Sequence, residues 1–259
     1  MNKYAVVNLK GGLANQIFQI SFANYLKSIG FKTYLDTSFY DRDHKFPRKL
    51  EIDPSFFGFK QIKIKSDIIF KINKSIFIED DTFEINNLKK YNRFVGYYQN
   101  LNYLETSKEL LYKKLSLKTN QSSNQNLAAL HIRKTDYLTL EQDLKSSYYQ
   151  LAINKLLKIN NHLRFDIFTD DSNIKLDPKI FKNINEIHLP NNKEKPIDVL
   201  KSMVNYKYYI IANSSFSTIP AFLSQFDEKI ILYPKPWWRN SNIKIQNIPS
   251  SWIAIANKL

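Results

Sequence analysis

From residue 127 onward, short apolar runs alternate with stretches of helical periodicity, and that alternation leaves few folds open. Residues 127–132, 164–169, 207–212 and 229–233 read as strands; 147–159, 196–204 and a stretch beginning near Ser217 read as helices. Strands separated by helices indicate a parallel α/β sheet. In such sheets ligands bind outside the carboxyl ends of the strands. The residues that follow each apolar run are therefore the ones to examine for chemistry.

The first half opens in the same way. Residues 4–7 are apolar and β-prone, and Gly11-Gly12 interrupts them. Between Asn15 and Ile29 the residues Ile17, Phe18, Phe22, Tyr25, Leu26 and Ile29 recur at helical spacing, with Gly30 placed for a helix C-cap. A strand follows at 32–35. Residues 40–120 hold short β-prone runs, Pro47, Pro54 and a helix expected near 104–115. The polar, low-complexity run from Lys118 to Asn126 is the natural joint. Two domains are expected, 1–124 and 125–259, each a Rossmann-like parallel α/β unit, with a cleft between them.

Composition narrows the chemistry. No cysteine occurs among the 259 residues, which excludes disulfides, a thiolate nucleophile and cysteine-ligated metal. No apolar stretch reaches the 18 or so residues of a membrane span. The amino terminus reads as a first strand and lacks the apolar segment of a signal peptide, so a cytoplasmic protein is expected. The net charge of +14 suits an anionic partner: a nucleotide-sugar, an anionic membrane surface or nucleic acid. The charge is spread along the chain, however. The run from Lys60 to Lys74 alternates Lys with Ile and Phe, as a half-buried edge strand does, and not as a nucleic-acid arm does. Glycine is absent after Gly96, so neither a P-loop nor a G-x-G-x-x-G turn exists in the second half.

Four junctions carry the chemistry. Gly11-Gly12-Leu13-Ala14-Asn15-Gln16 lets the backbone approach a ligand at a helix N-terminus, with two amides beside it; the plain alternative is a turn with Asn15 as N-cap. His131-Ile132-Arg133-Lys134-Thr135-Asp136-Tyr137 sets an arginine fork, suited to phosphate, at a strand end. The plain alternatives there are a core histidine and a salt bridge from Asp136 to Arg133 or Lys134. Phe165-Asp166-Ile167-Phe168-Thr169-Asp170-Asp171 ends a strand in paired acids that either bind a metal or orient those cations. Asp41-Arg42-Asp43 reads as a solvated loop. Asn213-Ser214-Ser215-Phe216-Ser217-Thr218-Ile219-Pro220 brings hydroxyls and free N–H groups to a helix start. Ser217 is expected as its cap and Pro220 in its first turn.

These four segments, in order, resemble the α-1,2-fucosyltransferases of glycosyltransferase family 11. The family's G-G-L-G-N-Q-[ML]-F-Q, H-x-R-R-G-D-Y, F-x-[IV]-F-S-D-D and N-S-S-F-S-W-W-G-A-W-L appear as GGLANQIFQ, HIRKTDY, FDIFTDD and NSSFSTIPAFL. The match runs from Lys3 to about Ile253. Lys134 stands in place of the second arginine, Thr135 and Ala14 in place of glycines, and Thr218-Ile219-Pro220 in place of Trp-Trp-Gly.

The resemblance implies a GT-B-like fold and inverting transfer of L-fucose from GDP-L-fucose to a galactose-type 2-hydroxyl of a bacterial surface glycan. It implies no metal and no cofactor. Arg133 would hold the donor pyrophosphate, with Lys134, Asp170 and Asn213 beside it. His131 and Asp198 would lie on the guanine side, Ser214, Ser215 and Phe216 around the diphosphate, and Gly11, Gly12, Asn15 and Gln16 toward the transferred sugar. Asp136 is the leading candidate for the base, against attack without one. A lipid-linked acceptor would bring the protein to the inner face of a membrane. Another GDP-sugar as donor, and a polyanion-binding protein, are the competing readings.

Overall fold

The computed structural model describes residues 3–63, 76–78, 88–118, 125–191, 193–239 and 245–257. The chain forms two compact units, Met1–Ser116 and Leu117–Leu259. Most of the polar run expected as the joint, 119–124, and all but the start of the Lys60–Lys74 run lie outside the described residues.

In the first unit, β1 (Lys3–Asn8), α1 (Leu13–Ser28) and β2 (Phe31–Asp36) form the expected opening. The chain continues through β3 (Lys60–Ile62), β4 (Ile76–Ile78), β5 (Tyr91–Phe94), α2 (Leu101–Thr106) and α3 (Lys108–Leu115). All pairings in the five-stranded sheet are parallel, in the order β3-β2-β1-β5-β4. β3, the described start of the Lys60–Lys74 run, is an edge strand. Helix α1 buries nearly every side: Leu13, Ile17, Phe18, Ile20, Phe22 and Leu26 are all buried, and Phe22 stacks on Tyr98 with ring centroids 4.0 Å apart. Gly30 follows the helix at φ +92°, where a side chain would be strained. The single helix expected near 104–115 is two, broken at Ser107. That residue's hydroxyl is held by Asn24 Nδ2 at 3.1 Å and reaches the carbonyl of Ser21 at 3.3 Å.

The second unit runs β6 (Leu127–Ile132), α4 (Thr135–Thr139), α5 (Ser146–Ile159), β7 (Arg164–Thr169), β8 (Ile184–His188), α6 (Pro196–Met203), β9 (Tyr208–Ile210), α7 (Ser215–Leu223), β10 (Ile230–Lys235) and β11 (Ile253–Ala256). Its sheet has six parallel strands in the order β11-β10-β9-β6-β7-β8. Strands β6 and β9 are almost wholly buried, and β7 is buried from Phe165 onward, as strands of a covered parallel sheet are. Tyr148, Tyr149, Ala152, Ile153 and Leu156 of α5 pack on this sheet. Truncating one such aliphatic residue to Ala costs about 2–5 kcal/mol. The registers Ile132↔Thr169 and Leu130↔Ile210 bring the carboxyl ends of β6, β7 and β9 level. The loops after residues 132, 169 and 210 therefore leave one edge together.

Candidate active site

His131 and Arg133 straddle the end of β6. His131 is buried, its ring centroid 6.0 Å from that of Phe216, and its Nδ1 has no hydrogen-bond partner. Burial, helped by the charge of Arg133, pushes its pKa down to about 4, so the imidazole is neutral at pH 7. Arg133 lies between two carboxylates: Nη1 is 2.9 Å from Asp170 Oδ2 and Nη2 is 2.7 Å from Asp136 Oδ1. The plainer sequence alternative for Asp136, a salt bridge to Arg133, is thus present. Asp170 also accepts from the Lys134 backbone N–H at 2.7 Å and from the Thr135 hydroxyl, which pins the turn after β6. Of the two readings for the acids at 170–171, Asp170 takes the one that orients cations.

Lys134, expected at the donor phosphates, spends its ammonium on Asp143 at 3.0 Å. Asp143 is shared with Arg239, whose guanidinium lies 3.8 Å away and also bonds the Asp143 carbonyl. Gln142 and Arg239 exchange two further hydrogen bonds, from the Arg239 N–H to Gln142 Oε1 (2.8 Å) and from Gln142 Nε2 to the Arg239 carbonyl (3.3 Å). Asn213 Nδ2 donates to the Gln142 carbonyl at 2.9 Å, and the hydroxyl of half-buried Tyr137 donates to the Asn213 carbonyl at 2.9 Å. The loops after β6, β9 and β10 are sewn together by these bonds. Sequence reasoning gave no role to Tyr137, although it closes the His131–Tyr137 junction, and missed Gln142, Asp143 and Arg239 as parts of the site.

Helix α7 begins two residues earlier than expected. Ser214, not Ser217, caps it, accepting from the Phe216 N–H at 3.3 Å. Ser217 is turned inward instead, its hydroxyl accepting from the Ala212 N–H at 3.2 Å. Pro220 consequently sits inside the helix, not in its first turn. Ser214 is buried and Ser215 and Phe216 half-buried, so the first turn of α7 faces the same edge as Arg133.

A cavity of about 250 Å³ opens at this edge. His131, Arg133, Thr169 and Asp170 line it from the ends of β6 and β7, Phe216 from α7, and Glu194, Pro196 and Val199 from in and around α6. Phe168 and His188, stacked 4.3 Å apart, form another wall. The volume is close to the low end of small-molecule sites, roughly 300–1,000 Å³. Asp198 is exposed in the first turn of α6, between the cavity-lining Pro196 and Val199 but not lining the cavity itself.

The glycine motif builds a separate cluster within the first unit. Gly11 has φ +76°, and a Cβ there would lie 2.6 Å from Asn15 Nδ2. Gly12 is the backbone N-cap of α1; Asn15, three residues on, is not the cap and accepts from Gln99 Nε2 at 2.9 Å. Gln16 does not face outward to a sugar. It is fully buried, and its amide is used four times: Nε2 donates to the carbonyls of Gly11 (3.1 Å) and Lys49 (2.9 Å), and Oε1 accepts from the N–H groups of Glu51 (2.9 Å) and Ile52 (3.1 Å). It holds the 49–52 segment against α1. Arg48, just before that segment, passes beside Gly12.

Among the described residues, one trio brings metal-capable atoms within 4.8 Å of one another: Asp166, Glu186 and His188. Both oxygens of the buried Asp166 already accept hydrogen bonds, from Asn185 Nδ2 and the Tyr206 hydroxyl, each at 2.7 Å. Three of the acids singled out in the sequence are engaged elsewhere: Asp41 with Lys63 at 2.9 Å, Asp170 with Arg133, and Asp171 with the Asn173 N–H at 2.9 Å.

No protein-family model matches the chain. It is 29% identical to an α-1,2-colitosyltransferase of Escherichia coli over 96% of its own length and 98% of the relative's. It is 32% identical to the E. coli O-antigen biosynthesis glycosyltransferase WbnK over 50% of its own length and 45% of that protein's. Among solved structures, the fucosyltransferase NodZ from Bradyrhizobium aligns with a TM-score of 0.45 at 11% identity, covering 85% of this chain and 93% of that one. The two curated relatives support an enzyme of the glycosyltransferase class, acting in surface-glycan synthesis.

Proposed function

We propose that this protein transfers L-fucose from GDP-L-fucose, with inversion and without a metal ion, to the 2-hydroxyl of a galactose-type residue in a bacterial surface glycan. The observation that carries the donor site is the unpartnered Nδ1 of buried His131, which lines a cavity beside Arg133. A buried polar atom without a partner is costly unless a ligand supplies one. In this reading the guanine end enters the cavity, read by His131 and, from the rim, by Asp198. The diphosphate lies at Arg133 and at the first turn of α7, around Ser214, Ser215 and Phe216, where the helix N-terminus favours an anion. Asn15, with Gly11 and Gly12 beside it, belongs to the sugar side.

The chemistry follows from charge. As the bond from sugar carbon 1 to the phosphate oxygen lengthens, the sugar gains oxocarbenium character and GDP gains negative charge. A guanidinium already in place stabilises that charge more in the transition state than in the ground state. The acceptor oxygen bonds carbon 1 from the opposite face, its proton passes to a carboxylate, for which we name Asp136, and GDP departs with the bonding pair. An acceptor carried on a lipid suits the +14 charge, which would hold the enzyme against an anionic inner-membrane surface. Nucleic acid has no part in this reading.

A second reading, colitose in place of fucose, is favoured by the colitosyltransferase relative that matches nearly end to end. A donor-hydrolysis panel separates the two. Release of GDP from GDP-fucose, surviving EDTA, supports the first; release from GDP-colitose alone supports the second. Turnover abolished by chelation and restored by manganese or magnesium refutes the metal-free mechanism.

A further inference from the structure

Arg133 is surrounded by its own anions. Its Nη1 and Nη2 are each taken by a carboxylate, Asp170 and Asp136, and its Nε is buried. One guanidinium against two carboxylates leaves this spot with a local charge of minus one before any ligand arrives. All three side chains are less than one-fifth exposed, so water screens them only in part. Each Nη keeps a second N–H, so a diphosphate can still meet Arg133, but it does so against the net negative charge of the two carboxylates. Moving one carboxylate away removes that opposition.

The two are not held equally. Asp170 follows β7 and is fastened by the Lys134 backbone N–H, the Thr135 hydroxyl and Arg133 together, whereas the same hydroxyl lies at a longer 3.3 Å from Asp136 Oδ1. Asp136 sits on α4, a five-residue helix with no buried residue, whose Leu138 is 54% exposed. We infer that Asp136 is the built-in counter-ion of Arg133, displaced from Nη2 by the donor diphosphate, while Asp170 stays in place and aims the guanidinium. The inference rests on the donor reading above. The exchange orders the reaction: the carboxylate named as the base is neutralised by Arg133 until donor binds, and is released at the moment a leaving group is present. Asp170 is thus a positioning residue, and Asp136 a competitor for the same cation.

This makes the sign of one substitution unusual. Removing a contact residue ordinarily weakens binding, whereas removing a competitor strengthens it. Titration calorimetry of GDP at low salt into the wild type, Asp136→Asn, Asp136→Glu and Asp170→Asn reads this directly. The dissociation constant should fall about three- to tenfold in Asp136→Asn, the range set by a partly exposed ion pair, and raised salt should narrow that gap. Asp136→Glu keeps the competing charge and should stay near wild type, and Asp170→Asn should bind GDP more weakly. Thermal melts without ligand establish that each variant is folded; if Asp136→Asn is not, Asp136→Ser takes its place with the same expectation. GDP binding to the wild type with equal or weaker binding to the folded uncharged variant overturns the competitor role alone. No GDP binding by the wild type overturns this inference and the donor reading together.

Discussion

Replacing Gln16 with leucine separates a structural role from a sugar-binding one. Leucine keeps most of the volume of the fully buried side chain but removes the amide, and four backbone partners lose a hydrogen bond. They do not lose equally. The Gly11 carbonyl keeps the Tyr40 hydroxyl at 2.9 Å, and Lys49 and Glu51 are exposed residues that water can reach. The N–H of Ile52, a buried residue, bears the full cost of an unpaired donor, about 1–3 kcal/mol. With a part-share from the other three, the loss comes to about 2–4 kcal/mol. At roughly 2–5 °C per kcal/mol for a unit of this size, Gln16→Leu should melt about 5–15 °C lower by differential scanning calorimetry. Amide exchange at 51 and 52 should accelerate at the same time. A variant that melts within about 2 °C of wild type yet loses transfer at saturating donor would refute the reasoning and return Gln16 to the sugar.

Three further outcomes are expected. Arg133→Ala should lose about a hundred- to a thousandfold in transfer rate while remaining folded, and retention of half the wild-type turnover would remove it from the leaving-group role. His131 is neutral in the fold because burial, then Arg133, pushes its pKa to about 4, below the unfolded 6.5. The unfolded chain therefore binds the proton first, and this residue's contribution is intact above pH 6.5 and declines as pH falls toward 4. Melts at pH 7 and pH 5 should differ more in the wild type than in His131→Gln, and equal differences would refute this. Asp198→Asn should raise the GDP dissociation constant about tenfold, since an amide cannot accept both bonds a guanine edge donates; unchanged affinity with a slightly lower melting temperature would leave Asp198 as a helix-dipole partner.

Parallel α/β architecture was legible because buried parallel strands and their covering helices leave continuous hydropathy signals. Strands β6, β7 and β9 and helices α1, α5 and α6 all show them. The missed elements lack such signals for physical reasons. β5 carries Asn92 and Arg93 inside, tolerated because Asn92 bonds the carbonyls of Tyr4 and Lys89 and Arg93 reaches Asp36 at 3.4 Å. β8 is an edge strand with two exposed residues, so its apolar content is thin. α4 buries nothing and has no apolar face to read. The same divide runs through the candidate site. That a histidine, an arginine and an acid stand at the end of one strand follows from periodicity and chain order alone. Which partner each has does not: Arg133 meets Asp170, 37 residues away in sequence, and Asp143 meets Arg239, 96 residues away. The order β10-β9-β6-β7 brings those loops to one edge, and the competition among nearby charges then decides that Lys134 goes to Asp143, that Arg133 is shared by two acids, and that Gln16 is spent inside its own unit. A sequence sets which groups leave the strand ends; hydrogen bonds and ion pairs are chosen among whatever the completed sheet brings within about 3 Å.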